Sequence, residues 1–244
     1  MRRITLEVCV DDVAGLVSAA EGGADRIELC AGLEVGGLTP SRGLMARAAA
    51  LDIPVLAIIR PRAGDFVYDA ATLDVMRADI DTAREAGLAG VVLGASRPDG
   101  RLDEDALAAL IAHATGLEVA LHRAFDLVPD PLEALETAVA LGFARILTSG
   151  GSATALEGAE TIAMVTRAAA GRISIMPGSG VRPDTVSELL ARTGAREVHA
   201  SCSVPHVPTD PRVAALGWGP PLARRTDRAT VEALRHTLNG LPAP

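Results

Sequence analysis

Glu7-Val8-Cys9 and Glu28-Leu29-Cys30 repeat one pattern, a carboxylate and a thiol two positions apart at the end of a short apolar run. Residues two apart on a β-strand share a face, so Glu7 lies with Cys9 and Glu28 with Cys30, while Val8 and Leu29 look the other way. On neighbouring strands the four groups meet. Burying such a set costs several kcal/mol unless its members pair or bind something, which makes it the first candidate site. Parallel neighbours lie about 4.8 Å apart, so Cys9 and Cys30 in matching register could share one soft ion. Thiolates alone suit Cu(I), and an added Glu or His suits zinc better. Plain packing of two cysteines is the alternative, because cysteine is among the most buried residue types.

Three further apolar runs end in ionisable residues: Ile59-Arg60-Pro61-Arg62, Leu121-His122-Arg123-Ala124-Phe125-Asp126 and Val198-His199-Ala200-Ser201-Cys202. With Leu121, Val198 and Ala200 packed outward, His122, His199 and Ser201 face inward. The expected lining is Glu7, Glu28, Arg60, His122 and His199. Carboxylates and imidazoles held together at low dielectric shift one another's pKa values, as acid–base chemistry near neutral pH requires. The competing reading is an ion-pair network that only fills space. Arg123 and Asp126 suit a local ion pair or a loop pin at least as well as direct chemistry.

Two glycine-rich turns, Ser149-Gly150-Gly151-Ser152 and Gly178-Ser179-Gly180, come late in the chain. Glycine lets backbone N–H groups close on an anion, so a phosphate or carboxylate is expected at Ser149, Gly150, Gly151, Gly178, Ser179 and Gly180, with simple tight turns as the alternative. The cluster Gly36-Gly37-Leu38-Thr39-Pro40-Ser41 reads as a loop at the same mouth, with Thr39 or Ser41 available to cap a helix.

Positioning these groups takes a scaffold. Runs of Val, Ile and Leu begin near Ile4, Asp25, Ile53, Ala89, Leu117, Phe143, Arg172 and Glu197, spaced by about 21 to 36 residues. Helical periodicity fills the gaps. Leu73, Met76, Ile80 and Ala83 share one face between a cap at Asp69 or Thr72 and a stop at Gly87, and another helix runs from Pro131 to Leu141 with Gly142 after it. Eight alternating units predict parallel strands joined by crossovers, most simply closed as a (β/α)8 barrel forming a single domain over residues 1–244; a doubly wound open sheet is the alternative. Active sites of such barrels lie at the C-terminal strand ends, where the polar residues of this chain concentrate. Residues 203–228 carry five prolines and no helical period, and read as a long loop before a last helix near 229–238.

Composition removes several functions. The chain has 244 residues, net charge -8 and 2% aromatic residues, the opposite of a basic, stacking nucleic-acid surface. No apolar run approaches the roughly 18 to 20 residues that span a membrane, and the expectation is a cytosolic protein. All 23 basic residues are arginine. Without lysine there is no Schiff base, no usual attachment for pyridoxal phosphate and no Walker-type loop.

Taken in order, Leu29-Cys30, Gly36-Gly37-Leu38-Thr39-Pro40-Ser41, Ile59-Arg60-Pro61-Arg62 with Gly64-Asp65-Phe66, His122-Arg123-Ala124-Phe125-Asp126, Leu147-Thr148-Ser149-Gly150 and Glu197-Val198-His199 resemble the CutC family over residues 4 to about 202. The resemblance implies a cytosolic (β/α)8 barrel, often self-associating as a homo-oligomer, and named for a proposed role in copper homeostasis. It points to Cys9 and Cys30 as copper ligands and to Glu7, Glu28, Arg60, His122, Asp126 and His199 as shared polar lining. Two functions are therefore expected to compete: Cu(I) handling through the two thiols, and lyase, isomerase or hydrolase chemistry on a small anionic ligand.

Overall fold

The computed structural model describes residues 3–208 and 210–241. Strands β1 (Thr5–Val10), β2 (Arg26–Leu29), β3 (Val55–Ile58), β4 (Gly90–Leu93), β5 (Glu118–Leu121), β6 (Arg145–Thr148), β7 (Ser174–Pro177) and β8 (Glu197–Ala200) form one parallel sheet in the order β7-β6-β5-β4-β3-β2-β1-β8. Between them run α1 (Val13–Glu21), α2 (Arg42–Ala48), α3 (Ala70–Ala86), α4 (Glu104–His113), α5 (Pro131–Leu141), α6 (Ala159–Ala169) and α7 (Val186–Thr193). β7 and β8 come side by side, and Ser174 Oγ donates to Glu197 across that seam at 2.9 Å, so the expected (β/α)8 barrel is present.

Local chemistry sets the helix ends as expected. Asp69 accepts from Thr72 N to start α3, and Gly87 ends it with φ 83°. Asp130 caps α5 ahead of Pro131, and Gly142 closes it with φ 82°. Ser41 caps α2, while Thr39 Oγ1 instead accepts from Arg60 N. Period-two alternation then sorts each strand. Leu6, Val8, Val10, Leu121, Val198 and Ala200 join the aliphatic layer under the helices, and their neighbours enter the barrel.

The barrel interior is divided. Leu56, Val92 and Ala120 form a small apolar cluster on the β3–β5 side. The first residues of β2, β5, β6, β7 and β8 build an ionic floor at the N-terminal face. There Arg26 bonds Glu7 and Glu197 (2.6 Å to the latter), and Arg145 bonds Glu118 and Glu197.

Residues 203–228, expected as a long loop, are more ordered than that. β9 (Ser203–His206) pairs antiparallel with β10 (Ala223–Thr226), with the short α8 (Arg212–Ala215) between them, and α9 (Arg228–Gly240) follows from its Asp227 cap. Prolines spoil a helical period, yet a two-stranded ribbon tolerates them on its unpaired edges, which is why composition alone suggested a loop. Asp227 N–H donates to Cys202 O at 3.0 Å as the next rung of the ribbon, and Thr226 Oγ1 donates to Cys9 O of β1 at 3.5 Å, tying the ribbon to the barrel. Among the described residues, no helix is long and apolar enough to cross a membrane.

Candidate active site at the barrel mouth

At the C-terminal strand ends a cavity of about 970 Å³ opens between the barrel and the ribbon. Its floor holds Cys9, Glu28 and His199, its sides His122, Arg60 and Phe66, and its outer wall Trp218, Leu222 and Arg224. Strand register puts the floor together: β1 lies between β8 and β2, with Glu7 opposite His199 and Arg26, and Cys9 opposite Glu28. The Glu7/Cys9 and Glu28/Cys30 pairs are therefore staggered by one layer. Glu7 meets Arg26 and His199, Glu28 meets Cys9, and Cys30 lies one step beyond.

His199 is the hub. Its Nδ1 is 2.8 Å from Glu7 Oε1 and its Nε2 is 3.6 Å from Glu28 Oε2. Burial opposes a charge on this ring, but the facing Cys9, Glu28 and Glu7 outweigh it and raise its pKa well above the usual value. The two carboxylates respond in opposite ways. Burial would raise Glu7, yet the bonds and charges of His199 and Arg26 prevail and hold it at about 2. Burial, helped by the charge of Glu7, wins at Glu28 and raises it. Environments that separate two carboxylates in this way mark one as a fixed anion and the other as a proton carrier.

Cys30 Sγ lies 3.6 Å from Glu28 Oε2, and burial together with Glu28 pushes its pKa far up, so it is a thiol. Cys9, Cys30 and Ile58 form one buried cluster. The donor atoms that lie within 4.8 Å of one another, however, belong to Cys9, Glu28 and His199. That set, with one sulfur among harder donors, fits a borderline ion better than Cu(I), which favours several soft ligands.

His122 is fully buried, and burial followed by the charge of Arg60 lowers its pKa to about 3, so the ring is neutral. Its Nδ1 accepts from Ala124 N at 3.1 Å, which places the proton on Nε2, and Nε2 has no partner among the described residues. Phe66 packs on the ring at 4.6 Å, and a Cβ at Gly94 would come within 2.5 Å of it. Arg60, expected in the polar lining, lines the cavity but turns most of its donors away from it. Its NH1 and NH2 donate to the carbonyls of Val35, Gly37 and Gly64, so it braces the mouth loops, and its Nε has no partner among the described residues.

Asp126 takes the loop-pin part that stood beside direct chemistry, and the Ser149 turn takes a different part from that expected. The carboxylate of Asp126 accepts from Thr148 Oγ1, Ser149 N, Ser149 Oγ and Gly151 N, and from Arg123 Nε at 2.6 Å. The anion at Ser149 and Gly151 is therefore a side chain of the protein, and Asp126 is a loop pin. Gly150 N donates to Thr148 Oγ1. In the second turn Gly178 N donates to Thr148 O, and Ser179 Oγ to Ala153 O, but Ser179 and Gly180 line the cavity.

Arg26, Arg145 and Glu197 escaped sequence reading. Extending the alternation one step back from Glu28 finds Arg26 on the same inward face, and the same step from His199 finds Glu197. Trp218 gave no periodic signal.

The chain matches the CutC family over residues 4–204. CutC family proteins of Sinorhizobium medicae and Agrobacterium fabrum are 60% and 57% identical to it, covering 100% and 96% of this chain and 99% and 94% of theirs. A crystal structure of CutC from Streptococcus agalactiae, described by a proposed role in copper homeostasis, aligns with TM-score 0.78 at 34% identity, covering 81% of this chain and 98% of that one. Thiamine phosphate pyrophosphorylase from Pyrococcus furiosus, at TM-score 0.60 and 17% identity, shares the fold alone. The ordered motifs, the barrel and the match over most of the chain lead to one assignment: this protein belongs to the CutC family.

Proposed function

We propose that the protein is an enzyme that moves a proton on a small phosphate- or carboxylate-bearing molecule held in the mouth cavity. One observation carries this reading: His199 bridges a fixed carboxylate, Glu7, and a proton-carrying one, Glu28, at the floor of a cavity large enough for a metabolite. Glu28 exchanges the proton with the substrate, His199 stabilises the charge that Glu28 acquires, and Glu7 with Arg26 keeps the imidazole oriented. The Nε2–H of neutral His122 supplies a hydrogen bond to a substrate oxygen. Arg123, Arg182 and Arg224 on the cavity wall favour an anion.

The test is conversion, or deuterium uptake from D2O, across a panel of small carboxylates and phosphate esters, comparing wild type with Glu28→Gln. A loss of about 10²-fold or more is expected of the variant. Equal rates in both proteins would remove Glu28 from the chemistry.

The second reading is Cu(I) handling in copper homeostasis, after the description carried by the Streptococcus agalactiae relative. The packing of Cys9 against Cys30 favours it. Against it stands the protonated, inward-turned Cys30, since a thiol must lose its proton to hold a metal. Cu(I) titration of reduced wild type and of the Cys9→Ala/Cys30→Ala variant separates the readings: tight binding lost in the variant supports copper handling, and equal binding removes it.

A further inference from the structure

We infer that Cys9, Glu28 and His199 form a binding site for a thiophilic divalent cation of the zinc class, with its remaining coordination position open to the mouth cavity. The inference is a second state of the same floor, in which Glu28 and His199 are ligands instead of the proton-transfer pair, and binding is read without any turnover, so it stands or falls apart from the proposed chemistry.

Five observations support it. The sulfur of Cys9, a carboxylate oxygen of Glu28 and a ring nitrogen of His199 all lie within 4.8 Å of one another. Zinc bonds of about 2.0–2.3 Å in a tetrahedral site place two ligand atoms about 3.3–3.8 Å apart; His199 Nε2 and Glu28 Oε2 already lie 3.6 Å apart, and a closure of up to about 1 Å brings the remaining donor in. The three residues stand on adjacent strands β8, β1 and β2, whose ladders fix their relative heights.

The supporting shell is already built. His199 uses Nδ1 on Glu7 at 2.8 Å, which leaves Nε2 facing Glu28 and the thiol. Metal-binding histidines characteristically give their second nitrogen to a carboxylate in this manner, and Glu7 is itself held by Arg26.

Charge and ligand type agree. A thiolate and a carboxylate match the two positive charges of the ion, and neutral imidazole completes a mixed S, O, N set that suits zinc better than Cu(I). Cys30 stands outside the set, turned to Glu28. Finally, all three ligands line the cavity, so a fourth position is reachable by water or a substrate oxygen, the pattern of a catalytic rather than a structural zinc site. An ion here occupies the space in which His199 and Glu28 face each other in the metal-free protein.

The experiment is Co2+ titration of the reduced, chelator-treated full chain, followed by displacement with Zn2+. Wild type should give a thiolate-to-cobalt charge-transfer band that saturates at one equivalent and disappears when Zn2+ is added. The band should persist in Cys30→Ser and Cys202→Ser and vanish in Cys9→Ser. Glu7→Gln should weaken binding about 10–100-fold. If Cys9→Ser does not fold, persistence of the wild-type band in both other serine variants still assigns the sulfur to Cys9. No saturable band in wild type, a band unaffected by Cys9→Ser, or a band lost in Cys30→Ser would overturn the assignment; the last outcome would mark a two-thiol site instead.

Discussion

Glu7 and His199 are 192 residues apart in the chain and 2.8 Å apart in space, joined because β8 pairs with β1 in a register that sets them side by side. The first strand and the last strand of the barrel thus create the site between them. Glu7 also balances the charge of Arg26, its partner across the β1–β2 register. Replacing it with glutamine leaves two buried cations facing a neutral amide, a change that costs about 3–5 kcal/mol when a buried pair is broken. Urea unfolding of Glu7→Gln should show that loss.

The pH dependence follows from the same group. Glu7 is held at about 2 against an ordinary 4.5, so its contribution is complete above pH 4.5 and is lost as pH falls from 4.5 towards 2. His199, raised above 6.5, acts in the opposite sense: its contribution is complete below pH 6.5 and is lost as pH rises through its folded value. Unfolding free energy should therefore decline on the acid side of pH 4.5 in wild type, and that slope should flatten in Glu7→Gln. An unchanged slope would refute the role given to Glu7.

His122, lowered to about 3, should stay neutral through the physiological range with its proton on Nε2. Nitrogen-15 NMR of the imidazoles should show one ring that stays neutral from pH 8 down to pH 5, in contrast to the raised His199. Because its folded pKa lies below the ordinary 6.5, its contribution to stability is present above pH 6.5 and is lost as pH falls towards 3. A ring at this position that titrates near 6.5 would contradict the buried, Arg60-facing environment.

Asp126 occupies the amides of Ser149 and Gly151. In Asp126→Ala those donors lose their acceptor, and stability should drop by about 1–3 kcal/mol. Sulfate should then restore part of the melting temperature in the variant more than in wild type. Equal sulfate effects on both would show that the turn is not a vacated anion cradle.

Trp218 is the single tryptophan of the chain and is 78% exposed on the cavity wall. Its emission should report solvent exposure in the free protein and shift to the blue when a ligand fills the cavity. Trp218→Ala should change stability by no more than about 0.5 kcal/mol while weakening ligand binding. Val207, Leu216 and Leu222 are exposed on the same segment. Should the protein self-associate through this face, Trp218→Asp should yield the monomer in sedimentation, and an unchanged state would place any contact elsewhere.

Much of this molecule was readable from residue order, for reasons that show where reading stopped. Period-two alternation is local, so Glu7, Cys9, Glu28, His122 and His199 could be placed on inward faces without knowing which strands touch. Register is not local. Only the paired strands reveal that Cys9 stands beside Glu28 while Cys30 is one layer removed, or that Asp126 crosses 23 residues to reach the Ser149 amide. Glycine-rich turns announce that an anion fits; they do not say whether the protein supplies it. The ribbon at 203–226 was hidden for a different reason, since strands of four residues with interrupting prolines leave too short a pattern to count.

The ionic floor of Arg26, Arg145 and Glu197 has an effect on traffic. Salt bridges close the N-terminal end of the barrel among the described residues, and the chamber above opens at the other end, beside the ribbon that carries Trp218 and Arg224. A molecule held in the chamber would then leave by the side it entered, past the two-stranded ribbon rather than through the floor.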